Sequence, residues 1–255
     1  MSTWVLLRGL VREQRHWGGF PAQLASALPG ARVITLDMAG NGARHRETSP
    51  TRVAAMVEDV RASLRARGVA GPCSVLALSL GGMVAVEWGA RYPDEVARLV
   101  LVNTSMRPFS PFYRRLRMQN YGAIARQALL GDPAAMERLV LRLTSNAPVD
   151  AVLQARWTAY QREYPVTRAN ALRQLLAAAR YRAPASKPAV ARMLVLASAG
   201  DRLVDSSCSC GLASAWGLAC EVHASAGHDL PLDDGAWLAE RVRRWANAGV
   251  APAQL

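Results

Sequence analysis

The sequence predicts an α/β fold with a mostly parallel sheet of about six strands, flanked by helices. Two observations carry this prediction. Short apolar runs alternate along the chain with longer stretches of helical periodicity. The short runs are apolar almost throughout, which is typical of strands buried on both faces of a parallel sheet. With 255 residues, 51% of them hydrophobic, the chain can bury one sizeable core.

The predicted strands and helices follow one another in order. Strands are predicted at residues 4–8, 32–37, 74–78, 98–103, 192–198 and 219–224. Helices are predicted at residues 51–67, 82–92, 206–216 and 233–248. The first of these helices has apolar residues at Val53, Met56, Val57, Val60 and Leu64, which is one face of a helix. The second ends before Pro93, because proline cannot continue a helix.

One stretch breaks the alternation. Residues 104–188 carry no strand pattern, and they have the periodicity of helices at 111–129, 133–144, 149–164 and 168–181. The stretch follows the carboxyl end of the fourth predicted strand, which is the edge where open α/β sheets bind ligands. We therefore expect a core made of residues 1–103 and 189–255, and a helical lid, residues 104–188, that covers a site.

The net charge is +12, and Lys187 is the only lysine among the basic residues. A strongly basic surface attracts acidic partners such as nucleic acid, anionic lipid or an acidic carrier protein. The alternative interpretation is a compositional bias toward arginine without a binding role. The sequence has no zinc-finger spacing and no block of five or six arginines, so we expect no specific nucleic-acid binding.

The four cysteines are Cys73, Cys208, Cys210 and Cys220. The spacing of Cys208 and Cys210 does not fit a zinc site, so we interpret both as ordinary helix residues and expect no metal. No N-terminal stretch has the pattern of a signal peptide, and no apolar run approaches the roughly 18 residues of a membrane span. The default expectation is a cytoplasmic protein with reduced thiols.

The segment SVLALSLGG, residues 74–82, is the strongest candidate for chemistry. It reads as a strand, a tight turn and the start of a helix, with Ser79 at the apex. A nucleophile at such an apex has a strained backbone, so the residues two before and two after it must be small. Here they are Ala77 and Gly81, and a helix N-terminus next to Ser79 favours developing negative charge.

A serine nucleophile needs a base, and the base needs an acid that orients it. His228 follows the last predicted strand and is the expected base, whereas His223 lies inside that strand, and His16 and His45 lie in early loops. Asp201 follows the fifth predicted strand and is the expected acid. Asp205 falls at the start of the next helix, where a carboxylate has an ordinary capping role.

In these motifs the chain resembles the α/β-hydrolase superfamily over nearly its whole length. The motifs are residues 77–81, Gly200-Asp201-x-x-Val204, Gly227-His228 and the turn at residues 37–42. The order serine, aspartate, histidine is that of the superfamily's triad. The segment 229–238 is similar to the end of small carboxylesterases, a group that includes pimeloyl-[acyl-carrier-protein] methyl ester esterases. The acid can also follow the strand after the turn in this superfamily, but that position holds Asn103.

The resemblance also implies an oxyanion hole made of two backbone amides. These are the amides of Leu80 and Leu10, with Val11 as an alternative to Leu10. Relatives usually have histidine where this chain has Arg8. That arginine can meet an anionic group of the substrate, or it can support the loop through Glu13. Arg8, Val11 and Val204 are the expected substrate-binding residues.

The expected reaction is hydrolysis of a carboxylic ester through an acyl-enzyme, without metal or cofactor. The predicted lid is rich in arginine and aromatic residues, which fits an acyl chain with an acidic head, or one bound to an acidic acyl carrier protein. The alternative is that these arginines form only a solvated face. Thioesterase, lactonase, lysophospholipase and perhydrolase activities use the same scaffold and are alternative activities. The alternative to an enzyme is a non-catalytic binding protein with the same fold.

Overall fold

A computed structural model describes residues 2–69, 71–130, 132–148 and 150–248. Within them, six strands form one sheet in the order β2-β1-β3-β4-β5-β6, and all neighbouring strands are parallel. The strands are β1 (Thr3–Leu7), β2 (Arg32–Leu36), β3 (Cys73–Leu78), β4 (Val96–Val102), β5 (Arg192–Ser198) and β6 (Cys220–His223). The predicted α/β fold with about six strands is confirmed, and every strand lies within two residues of its predicted position.

Helices connect the strands and cover both faces of the sheet. They are α1 (Phe20–Ala27), α2 (Val53–Ala66), α3 (Leu80–Arg91), α4 (Phe112–Arg115), α5 (Tyr121–Leu130), α6 (Pro133–Thr144), α7 (Ala151–Glu163), α8 (Arg168–Arg180), α9 (Ser207–Ala215) and α10 (Leu230–Asn247). Helices α4 to α8 all lie between β4 and β5, where the sequence predicted a lid. We call residues 104–188 the inserted segment. The predicted boundaries at residues 1, 149 and 249–255 lie outside the described residues.

The two faces of the sheet are buried in two separate apolar clusters. Along β1, Val5 and Leu7 pack into one cluster with α2 and α3, whereas Trp4 and Leu6 pack into the other with α1 and α10. Successive side chains of a strand point to opposite faces, so a strand covered on both sides must be apolar at every position. This is the physical reason for the continuous apolar runs that the sequence shows.

Three helical predictions differ from the structure. Helix α1 was not predicted, because Gly18, Gly19 and Pro21 obscure its start; the proline occupies the first turn, where its missing N–H costs nothing. The single helix predicted at 111–129 is divided into α4, a short 3₁₀ turn and α5. The last helix begins at Leu230 rather than 233, and a non-helical residue, Asp234, interrupts it.

Two cysteines form a disulfide, which corrects the expectation of reduced thiols. Cys210 on α9 is bonded to Cys220 at the start of β6, and their Cα atoms are 5.2 Å apart, within the range for such bonds. Cys73 and Cys208 are buried free cysteines. The pairing was missed because the two residues come together only when α9 packs against the edge of the sheet.

Among the described residues no helix has the length and apolar character needed to cross the hydrocarbon core of a membrane. The same residues contain no group of three or more histidine, cysteine or acidic side chains placed to hold a metal ion.

Candidate active site

Ser79 occupies a strained turn between β3 and α3. Its backbone has φ 57° and ψ −119°, a conformation that residues with a side chain rarely adopt. Two hydrogen bonds hold it there: the Ser79 amide donates to Val102 O at 3.0 Å, and the Thr104 hydroxyl donates to Ser79 O at 2.8 Å. The side chain is partly exposed, so the turn presents the hydroxyl at the carboxyl edge of the sheet.

The glycines after Ser79 are required by close neighbours. A Cβ atom on Gly81 would lie 2.5 Å from the carbonyl oxygen of Leu7, and one on Gly82 would lie 2.6 Å from the Thr104 hydroxyl. Real Cβ atoms do not approach other atoms so closely, so any side chain here would displace the turn. The small residues predicted from the motif therefore allow β1 and β4 to pack against the turn.

The loop after β1 lies directly against the nucleophile. A Cβ on Gly9 would be 2.9 Å from Ser79 Cβ and 3.4 Å from its hydroxyl oxygen. The next residue is Leu10, and the residue after Ser79 is Leu80. Neither of these two amides donates to a protein acceptor anywhere in the described residues, so both remain available to an oxyanion. Their role in an oxyanion hole stays a prediction.

Asp201 and His228 form a buried pair. Oδ2 of Asp201 accepts a hydrogen bond from His228 Nδ1 at 2.7 Å, and the two residues are 3% and 4% exposed. Oδ1 accepts from the amides of Leu203 and Val204, each at 2.8 Å. With Nδ1 as the donor to the carboxylate, Nε2 of His228 is left as the basic nitrogen.

The Ser79 hydroxyl has no hydrogen bond to His228 within the described part of the chain. Such contacts are often long in the free enzyme and shorten when substrate binds. The structure thus joins the predicted acid to the predicted base and places the serine at the same edge of the sheet.

The other candidates lie apart from this pair. Asp205 accepts from the Ser207 amide at 3.0 Å at the start of α9, although the N-cap residue of that helix is Ser206. His223 lies 3.2 Å from the carboxylate of Asp234. His45 interacts with a carbonyl of its own loop, and His16 is buried beside the aromatic ring of Trp157.

Asn103 supports the loop that carries His228, residues 224–229 between β6 and α10, which we call the histidine loop. Its side-chain amide donates to the carbonyl oxygens of His228 at 2.9 Å and Gly227 at 3.3 Å, and to the Ser198 hydroxyl at 3.0 Å. The sequence identified this position only as a place where an acid was absent. Its side-chain amide instead joins the ends of β4, β5 and β6 and holds the backbone of His228.

Arg8 has a different role from the one predicted. Its guanidinium is 2% exposed and makes two hydrogen bonds to the carboxylate of Asp229, at 2.9 and 2.6 Å. Neither the expected contact with a substrate nor support through Glu13 fits this placement, because both terminal nitrogens are taken by Asp229. The pair joins the end of β1 to the residue after His228, and Asp229 was missed by the sequence analysis although it directly follows the base.

The remaining predicted substrate-binding residues are also engaged through their backbones. The Val11 amide donates to the side chain of Gln174 on α8 at 2.9 Å, so it is not free as an alternative oxyanion donor. The Val204 amide donates to Asp201, and its side chain is buried. Contact of either side chain with a substrate stays a prediction.

The inserted segment also reaches the histidine loop. Asp233 accepts hydrogen bonds from the amides of Gly227 at 2.6 Å and Asn146 at 2.9 Å. The Asn146 side chain donates to the carbonyls of Gly200 at 2.9 Å and Ser225 at 2.8 Å. The turn after α6 therefore fastens together the loops that carry Asp201 and His228.

The parallel sheet, the turn at Ser79 and the Asp201–His228 pair all lie in a region that matches the model of a known protein family. The family model described as "Alpha/beta hydrolase family" matches residues 4–241, which include Ser79, Asp201 and His228. The chain belongs to the α/β-hydrolase family. The resemblance inferred from the sequence motifs is thereby confirmed, and the protein is a hydrolase by its family.

Curated relatives match this α/β-hydrolase over limited stretches. It is 38% identical over 91 residues to the pimeloyl-[acyl-carrier protein] methyl ester esterase of Chromobacterium violaceum, which covers 35% of this chain and 34% of that protein. It is 30% identical over 107 residues to the biotin biosynthesis bifunctional protein BioHC of Teredinibacter turnerae, which covers 41% of this chain and 17% of that protein. The matches thus span about a third or less of these relatives.

Solved structures of the family match over almost the whole chain. The enol-lactonase of Burkholderia xenovorans superposes with a TM-score of 0.76 at 18% identity, covering 96% of this chain and 91% of that one. A likeness at this identity shows the fold alone. Within that fold, this α/β-hydrolase has a strained serine, an acid–histidine pair and two free amides at one edge of the sheet, which are the parts that acyl transfer requires.

Proposed function

We propose that this α/β-hydrolase is a serine esterase that cleaves a carboxylic ester through an acyl-enzyme on Ser79. The observation that carries the proposal is the buried hydrogen bond between Asp201 and His228, at the same edge of the sheet as the strained serine. A non-catalytic binding protein has no need for a backbone strained at a partly exposed serine.

The mechanism uses only side chains and amides of this chain. His228 Nε2 takes the proton of the Ser79 hydroxyl as its oxygen attacks the ester carbonyl, and the amides of Leu10 and Leu80 hold the oxyanion. The tetrahedral intermediate collapses, and His228 gives the proton to the departing alcohol. Water then attacks the acyl-enzyme with His228 as base, which releases the acid and restores Ser79. Asp201 keeps the imidazole oriented and stabilises its charged form, and no metal or cofactor enters these steps.

The nature of the ester is a finer proposal. The named relatives include an esterase for a carrier-bound methyl ester and an enol-lactonase, so carrier-bound esters and lactones are the first substrates to test. A small ester with an acidic or carrier-bound head is supported by the arginines of the inserted segment. This support is one of charge alone, and thioester and lysophospholipid substrates are the alternatives that use the same chemistry.

A cytoplasmic location is likewise a proposal. This location was expected from the sequence together with reduced thiols. The Cys210–Cys220 disulfide means that reduced thiols no longer support the cytoplasmic location, since disulfides are uncommon in reducing compartments.

The decisive experiment compares Ser79→Ala with the matched control Ser186→Ala, a serine on the exposed surface of the inserted segment. Both are assayed on esters, thioesters and lactones of graded chain length, and labelled with a fluorophosphonate. We expect wild type and Ser186→Ala to hydrolyse and label alike, and Ser79→Ala to lose labelling and roughly 10⁴-fold or more in kcat. Full activity in Ser79→Ala contradicts the mechanism, and absence of labelling in wild type favours a non-catalytic binding protein.

A further inference from the structure

Helix α8 of the inserted segment buries two amide side chains on the face that packs against the core. Asn170, Gln174 and Ala177 are buried and are spaced four and three residues apart, which places them on one face of the helix. The outer face is apolar instead, with Leu172 66% exposed. Burying amide side chains is unfavourable unless they are hydrogen-bonded, so the inner face must be held by specific polar contacts.

Gln174 makes three such contacts. Its carbonyl oxygen accepts from the Val11 amide at 2.9 Å, and its amide nitrogen donates to the Asn41 side chain at 2.9 Å and to the Ser49 hydroxyl at 3.0 Å. The side chain is only 1% exposed. One residue of the inserted segment thus joins the loop after β1 to the loop that follows β2.

Val11 needs such a partner because its own conformation is unfavourable. Its φ is 50°, a value that branched residues strongly disfavour. Strain of this kind persists only where surrounding contacts impose it. Val11 directly follows Leu10, the proposed oxyanion donor, and the same loop contains Gly9, which lies against Ser79. The orientation of the Leu10 amide is therefore tied to the conformation of Val11.

We propose that Gln174 is a positioning residue: by accepting the Val11 amide it fixes the loop 9–11 so that the Leu10 amide points at the oxyanion. The inference rests on the proposed esterase function. Gln174 touches no reacting atom, and it acts through Val11. On this proposal the inserted segment sets the geometry of the oxyanion hole through Gln174.

The test uses Gln174→Met, which keeps the length of the side chain and removes its polar atoms. The matched control is Asn170→Leu, one turn earlier on α8. Asn170 accepts from the Ser49 amide at 2.9 Å and donates to Glu47 O at 2.8 Å, so its loss weakens the attachment of α8 without touching Val11. We expect Gln174→Met to lower kcat by about ten-fold or more, with KM within about two-fold of wild type. Binding of a trifluoromethyl ketone, which forms an oxyanion at Ser79, should weaken in parallel.

A purely structural role predicts a different pattern. In that case both variants lower the melting temperature, and kcat changes equally in the two or not at all. That result overturns the proposal. A conservative variant, Gln174→Glu, keeps the acceptor for the Val11 amide in either protonation state and loses only the donor to Asn41 and Ser49 when its carboxyl ionises. Its kcat should therefore stay well above that of Gln174→Met across the pH range, and a loss as large as that of Gln174→Met overturns the proposal.

Amide hydrogen exchange separates this inference from the proposed function. Exchange at the Val11 amide should be faster by about ten-fold or more in Gln174→Met and nearly unchanged in Asn170→Leu. This measurement needs no substrate, so it judges the contact even if wild type hydrolyses no ester, which is the outcome that contradicts the esterase proposal. Unchanged exchange at Val11 in Gln174→Met overturns the inference while leaving the esterase proposal intact.

Discussion

The core and the inserted segment carry their charge in different ways. Residues 1–103 and 189–255 contain 17 basic and 15 acidic side chains, whereas residues 104–188 contain 14 basic and 4 acidic ones. The inserted segment therefore contributes +10 of the net +12, although it is only a third of the chain. The excess of positive charge is therefore concentrated in the inserted segment, whereas the core is nearly balanced, although its 17 basic side chains are all arginines too.

The arginines of the two regions also have different partners. Core arginines form ion pairs, as Arg8 does with Asp229 and Arg61 with Glu95. In the inserted segment, considering the described residues, only Arg117 lies within 4 Å of a carboxylate, at 3.7 Å from Asp205. The large hydrophobic side chains that are exposed also belong mostly to this segment: Phe112, Tyr113, Met118, Tyr121, Leu129, Val152, Leu172, Leu175 and Leu176.

This contrast separates the arginines that stabilise the fold from those that are available to a partner. A buried pair fixes loops, and its rupture leaves a charge without solvent or partner. Exposed unpaired arginines contribute little to stability, but they attract anionic molecules. Three experiments, given from the strongest expected effect to the weakest, test the core, the contact between the two regions, and the inserted segment.

The largest effect is expected for the buried pair. Arg8→Met leaves the Asp229 carboxylate buried and unpaired, so the free energy of unfolding should fall by about 3–5 kcal/mol. Arg126→Met, at an exposed arginine of α5, is the control and should change it by less than about 0.5 kcal/mol. Urea denaturation measures both. A loss below about 1 kcal/mol for Arg8→Met would mean that the pair with Asp229 does not hold the end of β1 to the residue after His228.

A medium effect is expected where the two regions meet. His16 packs against Trp157 of the inserted segment, and burial, followed by the nearby Arg12 guanidinium, holds the pKa of His16 well below its usual value. The unfolded chain then binds a proton that the folded chain does not, as pH falls below about 6.5. Stability should therefore decrease toward acid pH, by up to about 1.4 kcal/mol per pH unit from this residue.

The comparison for His16 is with His16→Phe, which keeps a ring against Trp157. Urea denaturation at pH 7.5, 6.5 and 5.5 should give a smaller loss of stability on acidification for the variant than for wild type. Equal losses in both proteins would show that His16 does not contribute to the acid sensitivity.

The smallest effect on stability is expected in the inserted segment. Replacing the exposed Arg126 and Arg138 by serine should alter the free energy of unfolding by less than about 0.5 kcal/mol. If the segment binds an acidic carrier, the same change should raise KM for a carrier-bound ester and leave KM for a short nitrophenyl ester unaltered. Added salt should likewise slow only the carrier-bound ester. An equal response of both esters argues against a carrier partner.

The fold and the positions of the three candidate catalytic residues at one edge of the sheet were predictable because their signals are local. Ser79 lies in a strand, turn and helix within nine residues, and Asp201 and His228 each follow a strand that the apolar pattern identifies. The partner of Arg8 was not predictable, because Asp229 is 221 positions away and no local pattern links them. Gln174 was missed for the same reason: it looks like any polar residue of a helix until packing brings it to Val11.

The turn after α6 limits how this enzyme can be rebuilt. Asp233 and Asn146 join the inserted segment to the loops of both Asp201 and His228, so the segment is not a detachable module. A chimera that exchanges residues 104–188 for the corresponding segment of another hydrolase would remove the hydrogen bonds of Asn146 to these loops and to Asp233 unless it retained Ser145 to Ala147. A chimera should instead exchange only the parts of the inserted segment on either side of that turn. Such a design can change the substrate preference while the loops of Asp201 and His228 keep their contacts with Asn146.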